Sequence, residues 1–191
     1  MKRVLEPVAS WAIAALESRR REVVLSRVRG RLLDIGCGEN RLVRAYGNGV
    51  GVDVVDWGDV DVVVEDSARL PFPDSSFDTI SFVACLNHIP RREETLKEAW
   101  RLLKNDGRVL VTMISPLVSA AWHRIIGPWD PDQCHRELQD GEVWGFSARE
   151  ITNVLQKNGL KVVARKRFDL GLNDLYLALK SPSANGSPGS D

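Results

Sequence analysis

The segment Leu33-Asp34-Ile35-Gly36-Cys37-Gly38 carries the residue types best suited to holding a cofactor. Glycines directly after an apolar run let the backbone turn sharply and approach a ligand, because no Cβ stands in the way. If the following residues open a helix, its free N–H groups favour an anionic or carboxylate-bearing ligand. A nicotinamide-binding turn would place a third glycine where Arg41 stands, which weakens that interpretation. A purely structural tight turn stays open for these residues alone.

Asp53 follows a second short apolar run, Val50-Gly51-Val52. In nucleoside-binding sheets an acidic side chain about 20 residues after the glycine turn accepts hydrogen bonds from the ribose hydroxyls. A carboxylate there would also repel a 2′-phosphate, which argues against a phosphorylated cofactor. Taken alone, Asp53 could equally be a loop aspartate or a helix cap. Its place after the glycine turn favours a nucleoside-bearing cofactor.

These motifs need a sheet whose strand ends lie side by side. Apolar runs that predict strands occur at residues 32–35, 50–52, 62–64, 77–83, 108–114, 161–168 and 175–179. Several runs are continuously apolar, as expected for strands covered on both faces.

Helical patterns lie between the predicted strands. Residues 8–28 are predicted to form an amphipathic helix, and residues 92–103 carry an apolar stripe. Residues 147–150 read as a capping box that opens a helix ending at Asn158-Gly159. This alternation predicts an α/β fold with an open, mostly parallel sheet, which binds ligands at the carboxyl ends of its strands.

Three motifs in order resemble the class I S-adenosylmethionine-dependent methyltransferases: DIGCG at residues 34–38, VGVD at residues 50–53 and DSARLPFPDSSFD at residues 66–78. Within that class the chain is similar to the group that includes the ubiquinone/menaquinone C-methyltransferases and many small-molecule methyltransferases. The resemblance implies a Rossmann-like, three-layer open sheet, mostly parallel with an antiparallel last strand. It also implies S-adenosylmethionine as the cofactor.

The resemblance assigns cofactor-binding residues that lie at or just after predicted strand ends: Asp34, Gly36, Cys37, Gly38, Asp53, Val54, Asp66, Ser67, Ala68, Val83 and Ala84. The glycine turn would pass under the methionine and ribose portions, with Asp34 near the methionine amino group. Asp53 would hold the ribose hydroxyls, and Val54 would lie against the adenine. Asp66 would accept a hydrogen bond from the adenine amino group, while Ser67 and Ala68 close over the ring. Val83 and Ala84 would line the methionine side.

The chain departs from the family pattern at three places. Asn40 stands where a third glycine is common, although asparagine tolerates the left-handed conformation that such a turn needs. Asn105-Asp106-Gly107 replaces the usual proline-glycine-glycine turn and still signals a turn before the fifth strand. Arg91 stands where an acidic residue is frequent.

Residues 115–146 form a long insertion between the fifth strand and the capping box. Aromatic and histidine side chains make it a candidate substrate-covering segment, with Trp122, His123, Trp129, His135 and Trp144 as the candidate substrate residues. Aromatics that close the core beside the last strands are an equal alternative. His123, Cys134 and His135 lack the spacing of metal ligands, so no metal is predicted.

His88 lies just past the fourth predicted strand, where an acceptor would approach the methyl group. It is the candidate catalytic residue, as a general base or as a group that orients the substrate. A packed or capping histidine is the structural alternative.

Composition sets the class of protein. The 191 residues include 26 basic and 26 acidic side chains, which disfavours nucleic acid as the partner because such proteins usually carry a basic excess. No apolar run reaches the roughly 18 residues of a membrane span, and residues 17–21 do not fit a secretory cleavage site. We therefore expect a single cytoplasmic domain over residues 1–180, with an N-terminal helix in residues 1–29 and a disordered tail at residues 181–191.

The leading hypothesis is a methyltransferase that transfers a methyl group to a small-molecule acceptor. Two alternatives stay open: a methyltransferase acting on protein or RNA, and a catalytically silent module that binds S-adenosylmethionine. The base-methylating motifs Asn-Pro-Pro-Tyr and Asp-Pro-Pro-Tyr and the Pro-Cys nucleophile are missing from the sequence, which favours the small molecule.

Overall fold

The computed structural model describes residues 2–114, 143 and 145–181. The helices and strands are, in chain order, α1 (Lys2–Leu25), β1 (Leu32–Ile35), α2 (Arg41–Tyr46), β2 (Gly49–Asp53), β3 (Val62–Val63), β4 (Phe77–Val83), α3 (Arg92–Leu102), β5 (Leu103–Ile114), α4 (Ala148–Lys157), β6 (Leu160–Phe168) and β7 (Asn173–Lys180). Two short 3₁₀ helices, Leu86–His88 and Asp169–Gly171, complete the described elements. Every predicted strand is present, although β3 keeps only two residues of its predicted run.

The described strands form one sheet in the order β3-β2-β1-β4-β5-β7-β6. All neighbours from β3 to β5 pair in parallel, and β7 runs antiparallel to both β5 and β6. This is the mostly parallel sheet with an antiparallel last strand that the resemblance implied. The carboxyl ends of β1, β2 and β4 lie side by side in the middle of the molecule, so residues far apart in sequence meet there.

Helices cover both faces of the sheet and bury two apolar clusters. On one face, Leu96 and Ala99 of α3 and Ile151 and Leu155 of α4 pack against the central strands. On the other face, Val23 and Val24 of α1 and Leu42 and Val43 of α2 pack against residues such as Leu32, Leu110 and Leu175. The three-layer arrangement is therefore confirmed. It explains why the central strands are apolar at nearly every position.

Helix α1 begins earlier and ends earlier than the apolar pattern predicted, because it spans Lys2–Leu25 rather than residues 8–28. Its carboxyl end tightens: the N–H groups of Arg27 and Val28 donate to carbonyls three residues back, at 2.8 and 3.2 Å. Such bonds satisfy the last carbonyls and stop the helix. Among the described residues, no helix combines the length and apolarity that crossing a bilayer requires.

Strand β5 differs from its prediction at its start. It begins at Leu103, so the expected turn at residues 105–107 lies inside the strand. The pairing with β4 jumps from Phe77–Leu103 to Thr79–Arg108, which makes residues 104–107 a bulge. Gly107 and its neighbours are turn-forming residues that serve this bulge rather than a separate connection.

Helix α4 begins with the predicted capping box. The Ser147 hydroxyl accepts a hydrogen bond from the Glu150 N–H at 3.3 Å, and the Glu150 carboxylate accepts one from the Ser147 N–H at 2.7 Å. The helix ends at Lys157, and Gly159 takes a left-handed φ of 74° just beyond it. Both ends of α4 were therefore predicted correctly.

Replacing Ser147 with alanine tests this cap. We expect Ser147→Ala to lower the free energy of unfolding by about 1 kcal/mol, since an N–H at the start of α4 loses its acceptor. Urea denaturation of the purified protein measures the change. Arg149→Ala, an exposed neighbour on the same helix, should change stability far less; equal losses for both variants would contradict the capping role.

Candidate cofactor-binding site

The glycine turn after β1 has the backbone conformation that its sequence requires. Gly36, Gly38 and Asn40 all take left-handed φ values, of 73°, 53° and 58°. A Cβ on Gly36 would lie 2.8 Å from the Cβ and Sγ of Cys85, so this position accepts no side chain. A Cβ on Gly38 would meet no protein atom within 4 Å. The backbone at Gly38 thus faces open space that a ligand can enter.

Asn40 replaces the third glycine of the pattern and serves a further purpose. Its buried side chain donates to the Asp59 carbonyl and to the Asp61 carboxylate, each at 2.9 Å. Asp61 also accepts a hydrogen bond from the Gly51 N–H in β2 at 2.8 Å. The glycine turn is thereby tied to the β2–β3 loop, and the predicted tolerance of asparagine for this conformation is confirmed.

Asp53 ends β2 and reaches back to the glycine turn. Its carboxylate accepts a hydrogen bond from the Gly38 N–H at 2.9 Å and another from the Val55 N–H at 3.1 Å. A carboxylate has about four acceptor positions, so two bonds leave capacity for ligand hydroxyls. The first two motifs of the sequence are therefore in direct contact.

Asp34 is the buried acid of this site, with 2% of its surface exposed. Its carboxyl group accepts a 2.6 Å hydrogen bond from the Ser81 hydroxyl of β4, its partner in the sheet register. Burial raises the pKa of Asp34 to about 7; the Ser81 hydrogen bond opposes this shift and the charge of Asp53 adds to it. A cation placed beside Asp34 would stabilise its carboxylate and so offset both the lost hydration and the repulsion by Asp53.

Cys37 and Cys85 line the turn as neutral thiols. Burial, followed by the charge of Asp34, raises the pKa of each thiol well above its ordinary value. The Cys85 thiol donates to the Ile35 carbonyl at 3.0 Å. Because the thiolate is the reactive form of cysteine, neither residue is suited to act as a nucleophile.

The loop after β3 carries Asp66, the acid that is predicted to contact the adenine. The Asp66 carboxylate accepts a hydrogen bond from the Ala68 N–H at 2.8 Å and one from the Arg91 guanidinium at 2.5 Å. The buried Ser67 hydroxyl bonds to that of Thr95 in α3, at 3.0 Å. The Leu70 N–H donates to Glu98 of the same helix at 2.8 Å. Helix α3 therefore holds this loop at several points.

The end of β4 contains a strained residue. Ala84 has a left-handed φ of 55°, and its N–H donates to the buried Thr112 hydroxyl of β5 at 2.9 Å. Non-glycine residues in this conformation cost free energy and concentrate at functional sites. Val83 and Ala84 therefore stand at the carboxyl end of β4, beside β1, and their place on the methionine side stays a prediction.

His88 is the candidate catalytic residue of the predicted acceptor side. His88 lies half-buried in the short helix after β4. Its neighbour Asn87 exchanges two hydrogen bonds with Val143, of 3.0 and 3.3 Å, which bring the segment before α4 against this helix. The predicted substrate residues fall outside the described ranges: Trp122, His123, Trp129, His135 and Trp144. Their role stays a prediction.

Sequence reasoning missed three partners of the predicted site residues: Ser81, Cys85 and Arg91. Ser81 had a visible signal, because it is a polar residue within an apolar strand. Arg91 stood out only as a departure from the family pattern, and Cys85 gave no signal. The contacts of both depend on how the segment after β4 folds back over β1 and the β3 loop.

Comparisons with known proteins agree on the family. Residues 9–165 match the family model described as a methyltransferase domain. The chain is 24% identical over 184 residues to the demethylmenaquinone methyltransferase of Lactobacillus johnsonii, covering 78% of this chain and 75% of that protein. It is 31% identical over 161 residues to the ubiquinone/menaquinone biosynthesis C-methyltransferase of Pseudomonas savastanoi, covering 70% of this chain. The chain spans 63% of the length of that relative.

Solved structures share the fold. A 1,6-didemethyltoxoflavin-N1-methyltransferase from Burkholderia thailandensis, with bound S-adenosylhomocysteine, has a TM-score of 0.63 at 17% identity, covering 91% of this chain and 81% of its own. An S-adenosylmethionine-dependent methyltransferase from Aquifex aeolicus has a TM-score of 0.61 at 16% identity, covering 84% and 89%. At such identities the likeness establishes the fold alone.

The raised pKa of Asp34 predicts a pH-dependent affinity for S-adenosylhomocysteine. In the placement that the resemblance implies, the ligand ammonium lies beside Asp34 and favours its carboxylate. Binding then releases a proton wherever the free protein carries one, and affinity falls as the pH drops below about 7. Between pH 7.5 and pH 6 we expect the dissociation constant to rise about eightfold. Calorimetry at both values measures it. In Asp34→Asn this dependence should vanish; if it persists there, another group titrates.

Asp53 gives a second prediction, on affinity at constant pH. Asp53→Ala should weaken S-adenosylhomocysteine binding by about tenfold or more, because two ribose hydroxyls lose a charged acceptor. Calorimetry compares this variant with Asp56→Ala, which removes the same charge from the exposed part of the β2–β3 loop. The melting temperature without ligand reports whether loss of the Gly38 bond loosens the fold. Unchanged affinity in Asp53→Ala would refute the ribose assignment.

Proposed function

The chain belongs to the class I S-adenosylmethionine-dependent methyltransferases, and from that premise we propose that it methylates a small, apolar or aromatic acceptor in the cytoplasm. The observation that best supports binding of the cofactor at this site is the left-handed glycine turn, flanked by the carboxyl groups of Asp34 and Asp53. For the acceptor, the support is the similarity to proteins named as quinone C-methyltransferases.

The charge of the crevice and the open space over Gly38 support this placement of the cofactor. S-adenosylmethionine carries an ammonium, a sulfonium and one carboxylate, so its net charge is positive. Asp34 is buried with an elevated pKa and has Asp53 as a like-charged neighbour, a combination that a cationic ligand stabilises. The open space over Gly38 admits the ligand close to the backbone.

We propose a division of labour among the acidic residues. Asp34 pairs with the methionine ammonium, and Asp53 accepts the ribose hydroxyls beside the Gly38 N–H. Asp66 accepts from the adenine amino group, with Ser67 and Ala68 closing over the ring. The Val54 side chain, 53% exposed, offers an apolar face to the adenine.

The reaction asks little covalent chemistry of the protein. When bound, S-adenosylmethionine supplies a methyl group on a sulfonium, which is already an activated leaving group. The chain's contribution is to hold the donor and acceptor in line, an effect worth up to about 7–11 kcal/mol. The bond from Ala84 to Thr112 fixes the end of β4, which we propose to lie on the methionine side.

His88 is the residue we propose for proton transfer or acceptor orientation. It follows the end of β4 in the short helix, next to the Asn87–Val143 contact that brings in the segment before α4. A general base is needed only when the acceptor must lose a proton in the slow step, and it then contributes about 10²–10⁴-fold. The tryptophan-rich residues 115–146 are proposed to cover the acceptor and exclude water.

A turnover assay separates the acceptor classes. The purified chain is incubated with S-adenosylmethionine and, separately, with quinols, phenols, aromatic amines, transfer-RNA and ribosomal-RNA fragments, and a protein extract. We expect S-adenosylhomocysteine and a product heavier by one methylene with at least one aromatic small molecule, and loss of that turnover in Asp34→Asn.

Other outcomes count against the proposal. Methyl incorporation confined to RNA or protein would make the acceptor a macromolecule. Tight binding of S-adenosylhomocysteine without turnover of any acceptor would favour a silent binding module.

A further inference from the structure

Arg91 contacts the acid to which the proposed function assigns the adenine amino group. Its guanidinium lies 2.5 Å from the Asp66 carboxylate. Both residues line an open groove of about 900 Å³ between the β3 loop and α3.

We propose that Arg91 is a positioning residue for cofactor selectivity: it fixes the Asp66 carboxylate so that this group recognises the 6-amino group of adenine. This inference rests on the proposed placement of the adenine at Asp66. Arg91 itself does not touch the ligand in this proposal, because it acts through the acid.

The salt bridge is too exposed to be a device for stability. The side chains of Arg91 and Asp66 are 60% and 36% exposed, and pairs of this kind contribute little to folding. Its effect lies in geometry. The Arg91 guanidinium and the Ala68 N–H hold the two oxygens of Asp66 in one orientation. Ligand binding then loses less conformational entropy, because the carboxylate is already ordered.

The pair leaves room for the adenine amino group. Each carboxylate oxygen accepts about two hydrogen bonds, and each oxygen of Asp66 receives one from the protein contacts named above. The adenine amino group can therefore bind without displacing Arg91. We accordingly expect removal of Arg91 to weaken binding rather than to strengthen it.

The loop does not need Arg91 to keep its place. Ser67 bonds to Thr95, and Leu70 bonds to Glu98, so two other contacts fasten the segment to α3. Loss of the Arg91 side chain should therefore free the Asp66 carboxylate and leave the backbone around it in position.

The test compares two ligands that differ at one group. S-adenosylhomocysteine carries the 6-amino group, and its analogue with unsubstituted purine in place of adenine carries hydrogen there. Calorimetry gives the dissociation constants of both ligands for the wild-type protein, Arg91→Met, Arg91→Lys and Asp66→Ala. Lys97→Met is the matched control, because Lys97 is an exposed cation that lines the same groove and lies in α3, the helix that begins directly after Arg91.

We expect Arg91→Met to weaken S-adenosylhomocysteine binding about two- to fivefold and to leave the purine analogue unchanged. Arg91→Lys, which keeps the charge, should restore part of the loss, and Lys97→Met should match the wild-type protein. An equal effect of Arg91→Met on both ligands, or no effect on either, would overturn the inference.

Asp66→Ala separates this inference from the proposed site. If Asp66→Ala lowers the preference for the 6-amino ligand and Arg91→Met does not, only the role of Arg91 fails. If Asp66→Ala leaves that preference intact, the adenine does not bind at Asp66, and the inference fails together with that part of the proposed site.

Discussion

The buried carboxyl group of Asp34 is the constraint around which the site is built. It lies inside the sheet, bonded to the Ser81 hydroxyl and close enough to Asp53 for the two charges to repel. With its pKa raised to about 7, the folded protein binds a proton that the unfolded chain releases near pH 4, so stability falls as the pH rises from about 4 to 7. Above pH 7, ionisation of Asp34 lowers the free energy of unfolding by about 4 kcal/mol. A cationic ligand beside Asp34 offsets part of this cost. The residue therefore favours ligand binding but lowers the stability of the ligand-free protein.

The rest of the crevice follows from the parallel sheet. Asp34 has Gly51 as its register partner on one side and Ser81 on the other, so β2 and β4 must flank β1 for the site to exist. Position 51 requires glycine because a Cβ there would lie 2.0 Å from the Asn40 side chain. That side chain ties the glycine turn to the β2–β3 loop. The same contacts therefore pack the strands together and fix the glycine turn.

Much of this arrangement could be predicted from local patterns. Continuous apolar runs located the strands, because burial on both faces leaves few polar positions. The capping box at Ser147 located the start of α4, and the backbone preferences of asparagine predicted the left-handed Asn40. Asp34 and Asp53 could be singled out because they lie at or near the carboxyl ends of predicted strands, and the topology brings strand ends together.

Contacts between distant segments could not be predicted in this way. The pairing of Arg91 with Asp66 depends on how α3 docks beside the β3 loop, and no spacing in the sequence encodes it. The bulge at residues 104–107 depends on the register between β4 and β5, so its turn-forming residues suggested a separate connection instead. The early end of α1 arises from tightened hydrogen bonds in its last turn, to which the apolar pattern is insensitive.

A crystal structure of the protein with S-adenosylhomocysteine tests the central claim most directly. The ligand should lie across the carboxyl ends of β1 and β2, with its ribose hydroxyls bonded to Asp53. Its ammonium should lie beside Asp34, and its amino-acid portion should pass over Gly36 to Gly38. Density for the ligand elsewhere on the molecule, or ribose hydroxyls held by other side chains while Asp53 keeps only its backbone bonds, would contradict it.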